Sequence, residues 1–473
     1  MTASGGASAA GRGAGVLKWL GPWRVGGPTA HRLGVVLAVT LVWDVVVAFD
    51  GHIPPGFLAL AVTGTVAVYP LLAAACAVTL RHPISGWWAR WPAARLLSVC
   101  RMLFVVMAVL LGLQVPSLLA ATAAVRDDVA ATTICAARDV LQGHDPYQTP
   151  ELACLHRLHL PVTLATPVQR GPFAHLRSSP TPLQLERVQQ AVQRSGYQTP
   201  AFWSFGYPPL AFAWMLPVAL GGHALWVAWT LLAALVWLGV ALRGSRSWWP
   251  ALACIILLQW GGGSVLAAAS QGDSEFFAFA LTALALLFID RPRRSAVCLG
   301  LAMATNPLPW VIVPGYVLFT RTLPRAWPRL AWLAGAVLTA VVPWLLVYRD
   351  AAGAMLTFLR EPTFSEGVGV GSLALLHLGL PSSRSAMFLL FGLAVLALVA
   401  WGAVRRPYAA AVPAVAVAAF WLSWRSDANY LTQLPLWAGA MAIGLERLHR
   451  RPPVTEPSAT AALAAAPRPV VAP

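Results

Sequence analysis

The sequence predicts an all-α, polytopic integral membrane protein with about 11 transmembrane helices (range about 11 to 13) and a large extracytoplasmic loop after the third span. Three observations carry this expectation. The 473 residues are 58% hydrophobic and 11% charged, with a mean hydropathy of +0.67, whereas a soluble domain holds about a quarter charged residues. The apolar residues gather in blocks close to the roughly 20 residues a helix needs to cross a bilayer, not in the short alternating segments of a membrane barrel. The arginines fall between alternate blocks, the positive-inside pattern of a chain that crosses repeatedly.

Taken in order, residues 1–30 are Gly/Ala-rich with Arg12, Lys18 and Arg24, and are expected to be a disordered cytosolic segment. The block 33–49 follows a basic stretch as a signal peptide would, but Asp44 interrupts it and no small-residue cleavage site follows, so it reads as an uncleaved span. With 57–80 it forms an additional N-terminal hairpin over 31–99. A core over 100–446 then begins with the span 100–123 and the loop 124–206. Further blocks lie at 224–242, 251–269, 275–289, 328–348, 385–403, 409–423 and 431–445, with a hairpin of two short halves at 295–305 and 308–320. The stretch 207–221 (YPPLAFAWMLPVALG) opens on two prolines and is broken again by Pro217. It is too short to span, and is expected to be a juxtamembrane or re-entrant helix. Residues 447–473 form an Ala/Pro-rich cytosolic tail.

Orientation follows from the basic residues. They precede the first span and recur at Arg81/Arg90/Arg95/Arg101, Arg243/Arg246, Arg291/Arg293/Arg294, Arg321/Arg325/Arg329, Arg405/Arg406 and from Arg447 onward. The short segments on the other side hold only Arg349, Arg360, Arg384 and Arg425, and the long loop holds the rest. Long loops translocate largely regardless of charge, so both termini are expected inside, in a multi-pass protein of the plasma membrane. In a soluble chain a net charge of +16 would indicate nucleic acid. Here the arginines flank apolar blocks, so the expected partner is the lipid bilayer and no nucleic acid. Lys18 is the only lysine, which fits a GC-rich, actinobacterial-type coding bias better than any chemistry.

Cys76, Cys100, Cys135, Cys154, Cys254 and Cys298 form no CxxC pair or zinc spacing, and no metal or cofactor is expected. Cys135 and Cys154 both fall in the outer loop, an oxidising compartment that permits a disulfide. The segment ELACLHRLH, with Cys154, His156 and His159, reads as an amphipathic loop helix more than a metal site, and 183–197 as a helix lying on the membrane.

Polar singularities collect on the outward turns. They are Arg126-Asp127-Asp128, GHDPY at 143–147, FGYPP at 205–209, SQGDSE at 270–275, TNPLP at 305–309, REPTFSEGVGVGS at 360–372 and SWRSDANY at 423–430. Transport sites place ionisable groups near the bilayer midplane. A cluster at the outer boundary fits chemistry on a lipid-borne substrate better. Moving a sugar from a lipid phosphate needs a base for the acceptor hydroxyl and charge stabilisation for the leaving phosphate.

The ordered set from Asp127-Asp128 through GHDPY, YPPL, SQGD and NPLP to SWRSDANY resembles the GT-C glycosyltransferases of family 87, polyprenol-phosphate-mannose-dependent mannosyltransferases of the bacterial envelope. The resemblance spans roughly 100–446, and its most specific part is GHDPY and YPPL on either side of one long loop. It implies a GT-C-like fold, an inverting hexosyltransferase, a polyprenyl-phosphate sugar donor as substrate and a glycolipid or lipoglycan acceptor. The family commonly has Lys-Pro where this chain has Asn306-Pro307, and His-Tyr where it has Asn429-Tyr430.

On this reading Asp128, or its neighbour Asp127, is the general base, with Asp44 and Asp50 as rivals. Tyr147, Tyr207, Gln271 and Asp273 bind sugars. Arg360, Arg425 and Asn306 steady the phosphate, and Asn429 and Tyr430 line the same site. The alternatives are a transporter or flippase for a lipid-linked or polar substrate, and a non-catalytic GT-C relative.

Overall fold

A computed structural model describes residues 125, 128–149, 152–160, 205–244, 269, 272–321, 323, 325–360, 366–367, 419, 425–426, 437, 440–441, 444 and 447–448. The first of its helices, α1 (Asp128–Leu141), carries an acidic residue in its first turn and Arg138 in its last, both matched to the helix dipole. Its buried positions are mostly small (Ala130, Ala131, Ala136, Ala137), so neighbouring chain approaches it closely. It closes in a Schellman motif: the His144 N–H donates to the Asp139 carbonyl at 2.8 Å and the Gly143 N–H to the Val140 carbonyl at 3.1 Å. Gly143 sits at φ +77°, the left-handed conformation that a residue without Cβ adopts freely. The short helix α2 (Leu152–Arg157) is held to α1 by the disulfide Cys135–Cys154, with Cα atoms 5.8 Å apart.

The proline-rich stretch 207–221 folds in pieces: α3 (Leu210–Ala213) and a 3-10 turn at Leu216–Val218. Its carbonyls are taken by side chains from elsewhere. Trp229 Nε1 donates to Trp214 O and Trp226 Nε1 to Val218 O, both at 2.8 Å, and Arg138 Nε donates to Ala219 O at 2.6 Å. The segment is thereby fixed between α1 and α4 (His223–Gly244). One face of α4 is buried (Trp226, Thr230, Ala234, Trp237), and the other exposes Leu225, Leu232, Val236 and Val240.

The centre is formed by α5 (Glu275–Leu287), buried along almost its whole length, and α6 (Pro292–Thr305), opened by proline in its first turn. Asn306 ends α6. A 3-10 segment, Leu308–Ile312, then leads into α7 (Val313–Thr320), which is the expected hairpin of short halves. The 22-residue α8 (Ala326–Val347) packs on α6 at Gly300, where a Cβ would lie 2.8 Å from the Leu333 carbonyl oxygen. Among the described residues α8 alone is long and apolar enough to cross a membrane, roughly 33 Å at 1.5 Å per residue. It leaves Trp327 82% exposed and Leu346 76% exposed. The helix α9 (Ala351–Arg360) follows, and strand β1 (Glu366–Gly367) pairs in parallel with β2 (Arg425–Ser426).

The helices sort their ends. At one end α5 begins and α6 stops. At the other, Arg447 faces Asp290 at 3.7 Å and Arg329 Nη1 donates to Ile289 O at 2.8 Å, both groups beyond the last turn of α5. The expected blocks 224–242, 275–289 and 328–348 thus match α4, α5 and α8 to within a few residues. The N-terminal hairpin 31–99, the span 100–123, the helix 183–197 and both tails lie outside the described residues. So, apart from isolated positions, do the blocks 251–269, 385–403, 409–423 and 431–445.

Candidate functional site

The Schellman turn of α1 delivers the chain directly into GHDPY. There Asp145 Oδ1 accepts the Tyr147 N–H at 2.9 Å, an Asx turn, and the Asp145 carbonyl accepts the Thr149 N–H and hydroxyl at 2.9 and 2.7 Å. The turn drives Tyr147 inward, where it is 3% exposed. Its hydroxyl donates to the Tyr207 carbonyl at 3.1 Å, and the Phe205 N–H donates to the Pro146 carbonyl at 3.2 Å. GHDPY and FGYPP, at opposite ends of the 124–206 loop, therefore meet. The Tyr147 ring packs edge-on against Phe205 at 5.6 Å and Phe212 at 6.3 Å.

The exit of α8 joins the same cluster. Tyr348 lies 6.3 Å from Tyr147, ring to ring, and stacks on Trp344 one turn earlier. The Gln148 side-chain amide donates to the Asp350 carboxylate. Burial pushes the Asp145 carboxyl above the usual carboxylate range; the Tyr147 N–H pulls it back, and the nearby Asp350 charge pushes it up again.

A second node lies across α3. Asp273 Oδ1 accepts the Glu275 N–H at 2.8 Å in an Asx turn that leads into α5, preceded by Gly272 at φ +78°. Asn306 Nδ2 donates to Glu275 Oε1 at 3.0 Å, and Asn306 Oδ1 accepts the Leu308 N–H at 2.9 Å. Asp273, Glu275 and Asn306 are all buried. SQGDSE and TNPLP therefore converge as well. Trp214 links the nodes: its indole donates to Thr305 Oγ1 at 3.0 Å and stacks on Phe277 with centroids 4.9 Å apart.

A third meeting is seen in the backbone. Glu366 pairs in register with Arg425, joining the segments 360–372 and 423–430, and Arg360 closes α9 six residues before Glu366.

The expected site residues thus divide. Tyr147, Asp273 and Asn306 are brought in, but with their polar groups bonded within the protein, so they shape the site more than they face an open space. Tyr207 contributes its carbonyl to Tyr147, and its half-buried ring lies 5.7 Å from Phe205. Asp128 is half-buried at the start of α1, some 20 Å along the helix from GHDPY at 1.5 Å per residue. Asp127, Gln271, Asn429, Tyr430, Asp44 and Asp50 lie outside the described residues. Sequence reasoning missed Tyr348, Asp350 and Glu275. The signal was present in each case: Tyr-Arg-Asp closes an apolar block, and Glu275 opens one. Cys154 is bonded to Cys135, which removes it from the Cys154/His156/His159 set. Among the described residues no group of three His, Cys, Asp or Glu is arranged to hold a metal ion.

No protein-family model, curated protein or solved structure matches the chain.

Proposed function

We propose that the chain is an integral membrane glycosyltransferase of the GT-C kind. It moves a sugar, mannose by the motif resemblance, from a polyprenyl-phosphate donor to a hydroxyl of a cell-envelope glycolipid or lipoglycan on the outer face. The observation that carries the proposal is the meeting of GHDPY and FGYPP through the Tyr147–Tyr207 and Pro146–Phe205 hydrogen bonds. It occurs at the end of the helices that also gathers Glu275, Asn306, Tyr348 and Asp350, opposite the end that gathers Asp290, Arg329 and Arg447. The disulfide in the same loop supports an outward placement, because such bonds persist in oxidising compartments.

In the proposed reaction the acceptor oxygen attacks the anomeric carbon while its proton passes to a carboxylate, Asp128 or Asp127. The bond from that carbon to the phosphate oxygen breaks with inversion, and polyprenyl phosphate leaves. Arg360 and Arg425 hold its phosphate, a role supported by the β1–β2 pairing that joins their segments. Gln271, Asn429 and Tyr430 complete the contacts to sugar and phosphate. Asn306 stands where the resemblance expects a cation. Its amide is committed to Glu275 and Leu308, so phosphate binding falls to the arginines.

The test is sugar transfer in washed membranes supplied with labelled polyprenyl-phosphate mannose, comparing the wild type with an Asp127→Asn/Asp128→Asn variant of equal abundance. Labelled glycolipid from the wild type alone is expected. Equal labelling would remove the base from this pair, and no labelling from either would remove the donor.

A further inference from the structure

We propose that the arginine end of the helices is a binding surface for the headgroup of an anionic phospholipid, an inference that rests on the chain being membrane-embedded. The turns before α6 and before α8 lie side by side. Arg329, from the first turns of α8, reaches the Ile289 carbonyl, and Arg293, from the first turn of α6, stacks over the Trp332 ring at 4.5 Å. Two layers of arginine result. The inner layer is consumed: Arg329 binds Ile289 O, while Arg447 binds Leu287 O at 3.5 Å and faces Asp290 at 3.7 Å. These contacts satisfy the carbonyls at the end of α5 and neutralise the one acidic side chain at this end among the described residues.

The outer layer is Arg293, Arg294 and Arg325, all exposed, with Arg291 half-buried beside them. With the inner acid and carbonyls already matched, this layer presents a net positive field to its surroundings. The N-termini of α6 and α8, each long enough to carry a dipole, add to it. Guanidinium groups match phosphate oxygens in a bidentate fork.

The occupant must also have an apolar part. Trp327, 82% exposed, stands immediately beyond Arg325 in the first turn of α8, where an amphipathic ring belongs at a membrane interface. From there the exposed face of α8 runs on through Leu338, Val342 and Leu346. A phosphate bound at the arginines places its acyl chains along this face. Free phosphate would use only the first half of the surface. A zwitterionic headgroup would carry its own ammonium into a cluster of guanidinium groups.

The measurement is lipid retention by the purified full-length protein in neutral detergent, read by native mass spectrometry against added phosphatidylglycerol, phosphatidylcholine or inorganic phosphate. Phosphatidylglycerol is expected to bind in preference to phosphatidylcholine, to weaken as salt is raised, and to resist competition by inorganic phosphate. The variant Arg294→Gln/Arg325→Gln removes exposed groups and leaves the Arg293–Trp332 stack in place. It is expected to lose affinity by roughly fivefold per arginine, about twenty-five-fold in all, while keeping its unfolding temperature in phosphatidylcholine. Equal retention of the two lipids, full competition by inorganic phosphate, or an unchanged variant would each overturn the proposal. Membranes washed in alkaline carbonate separate the two levels of the account. A chain that stays embedded but does not discriminate between lipids defeats this proposal alone, and a chain released by the wash defeats the membrane reading and this proposal together.

Discussion

Asn306 holds a buried carboxylate in place, and its replacement separates two roles. Asn306→Ala takes a hydrogen bond from Glu275 Oε1. Leaving a buried hydrogen-bonding group without its partner costs about 1–3 kcal/mol, so thermal unfolding is expected to shift down by a corresponding amount. Asn306→Lys, which restores the residue type the resemblance expects, sets an ammonium beside the same oxygen and is expected to cost less than the alanine. A lysine variant less stable than the alanine variant would contradict this account of the node. Asp145 supplies a pH-dependent prediction. Its pKa is raised in the folded protein, so the folded state binds more protons than the unfolded one. Stability therefore falls as pH rises from the ordinary carboxylate value of about 3.9 through the raised value, and is flat above it. Asp350→Asn removes one of the upward influences and keeps an acceptor for Gln148, so the fall with pH, followed by unfolding temperature, is expected to shrink. These roles were only half legible in the sequence. GHDPY, SQGDSE and TNPLP announce themselves as polar turns at the borders of apolar blocks. Which atom faces a substrate and which faces another side chain depends on partners up to about 200 residues away, as with Gln148 and Asp350, and no spacing encodes that.

Hydropathy and proline marked α4, α5, α6 and α8, because a helix that buries or lipidates its whole circumference needs a continuous apolar run. The close approach of α6 to α8 was not legible. It rests on Gly300, one glycine among 38, distinguishable only by what stands opposite. Gly300→Ala would set a Cβ 2.7 Å from Ala336 Cβ and 2.8 Å from the Leu333 carbonyl oxygen. Neither neighbour is a flexible side-chain end, so α6 and α8 must separate, at a cost of about 1–3 kcal/mol. Gly335 on α8 has nothing within 4 Å of a built Cβ. Gly335→Ala is therefore expected to be neutral or to stabilise by up to about 1 kcal/mol through helix propensity. Unfolding temperatures in the two variants should move in opposite directions. The α1–α2 disulfide closes a segment with a sequence separation of 19. Its loss in a Cys135→Ser/Cys154→Ser variant is expected to cost about 3 kcal/mol and to loosen the segment that precedes GHDPY, which faster proteolysis between residues 142 and 160 would register.

Among the described residues most charged side chains sort by helix end, with Asp290 held against Arg447 at one end and Arg138 and Arg349 beside the motif turns at the other as exceptions. Asp145, Asp273, Glu275 and Asp350 lie with the motif-bearing turns, and Arg293, Arg294, Arg321, Arg325, Arg329 and Arg447 lie at the opposite end. The basic turns between apolar blocks were legible in the sequence, and the antiparallel packing of α5 on α6 with α8 alongside brings those that precede α6 and α8 to one end. The proposed chemistry depends on which end faces outward, and impermeant thiol labelling reads that most directly. In a background where Cys76, Cys100, Cys254 and Cys298 are replaced and the disulfide is kept, a cysteine is placed at Gln142, exposed beside GHDPY, or at Arg294, exposed at the arginine end. The account predicts labelling of Gln142→Cys in intact cells and of Arg294→Cys only after permeabilisation. Labelling of both from the same side, or in the reverse order, would contradict it.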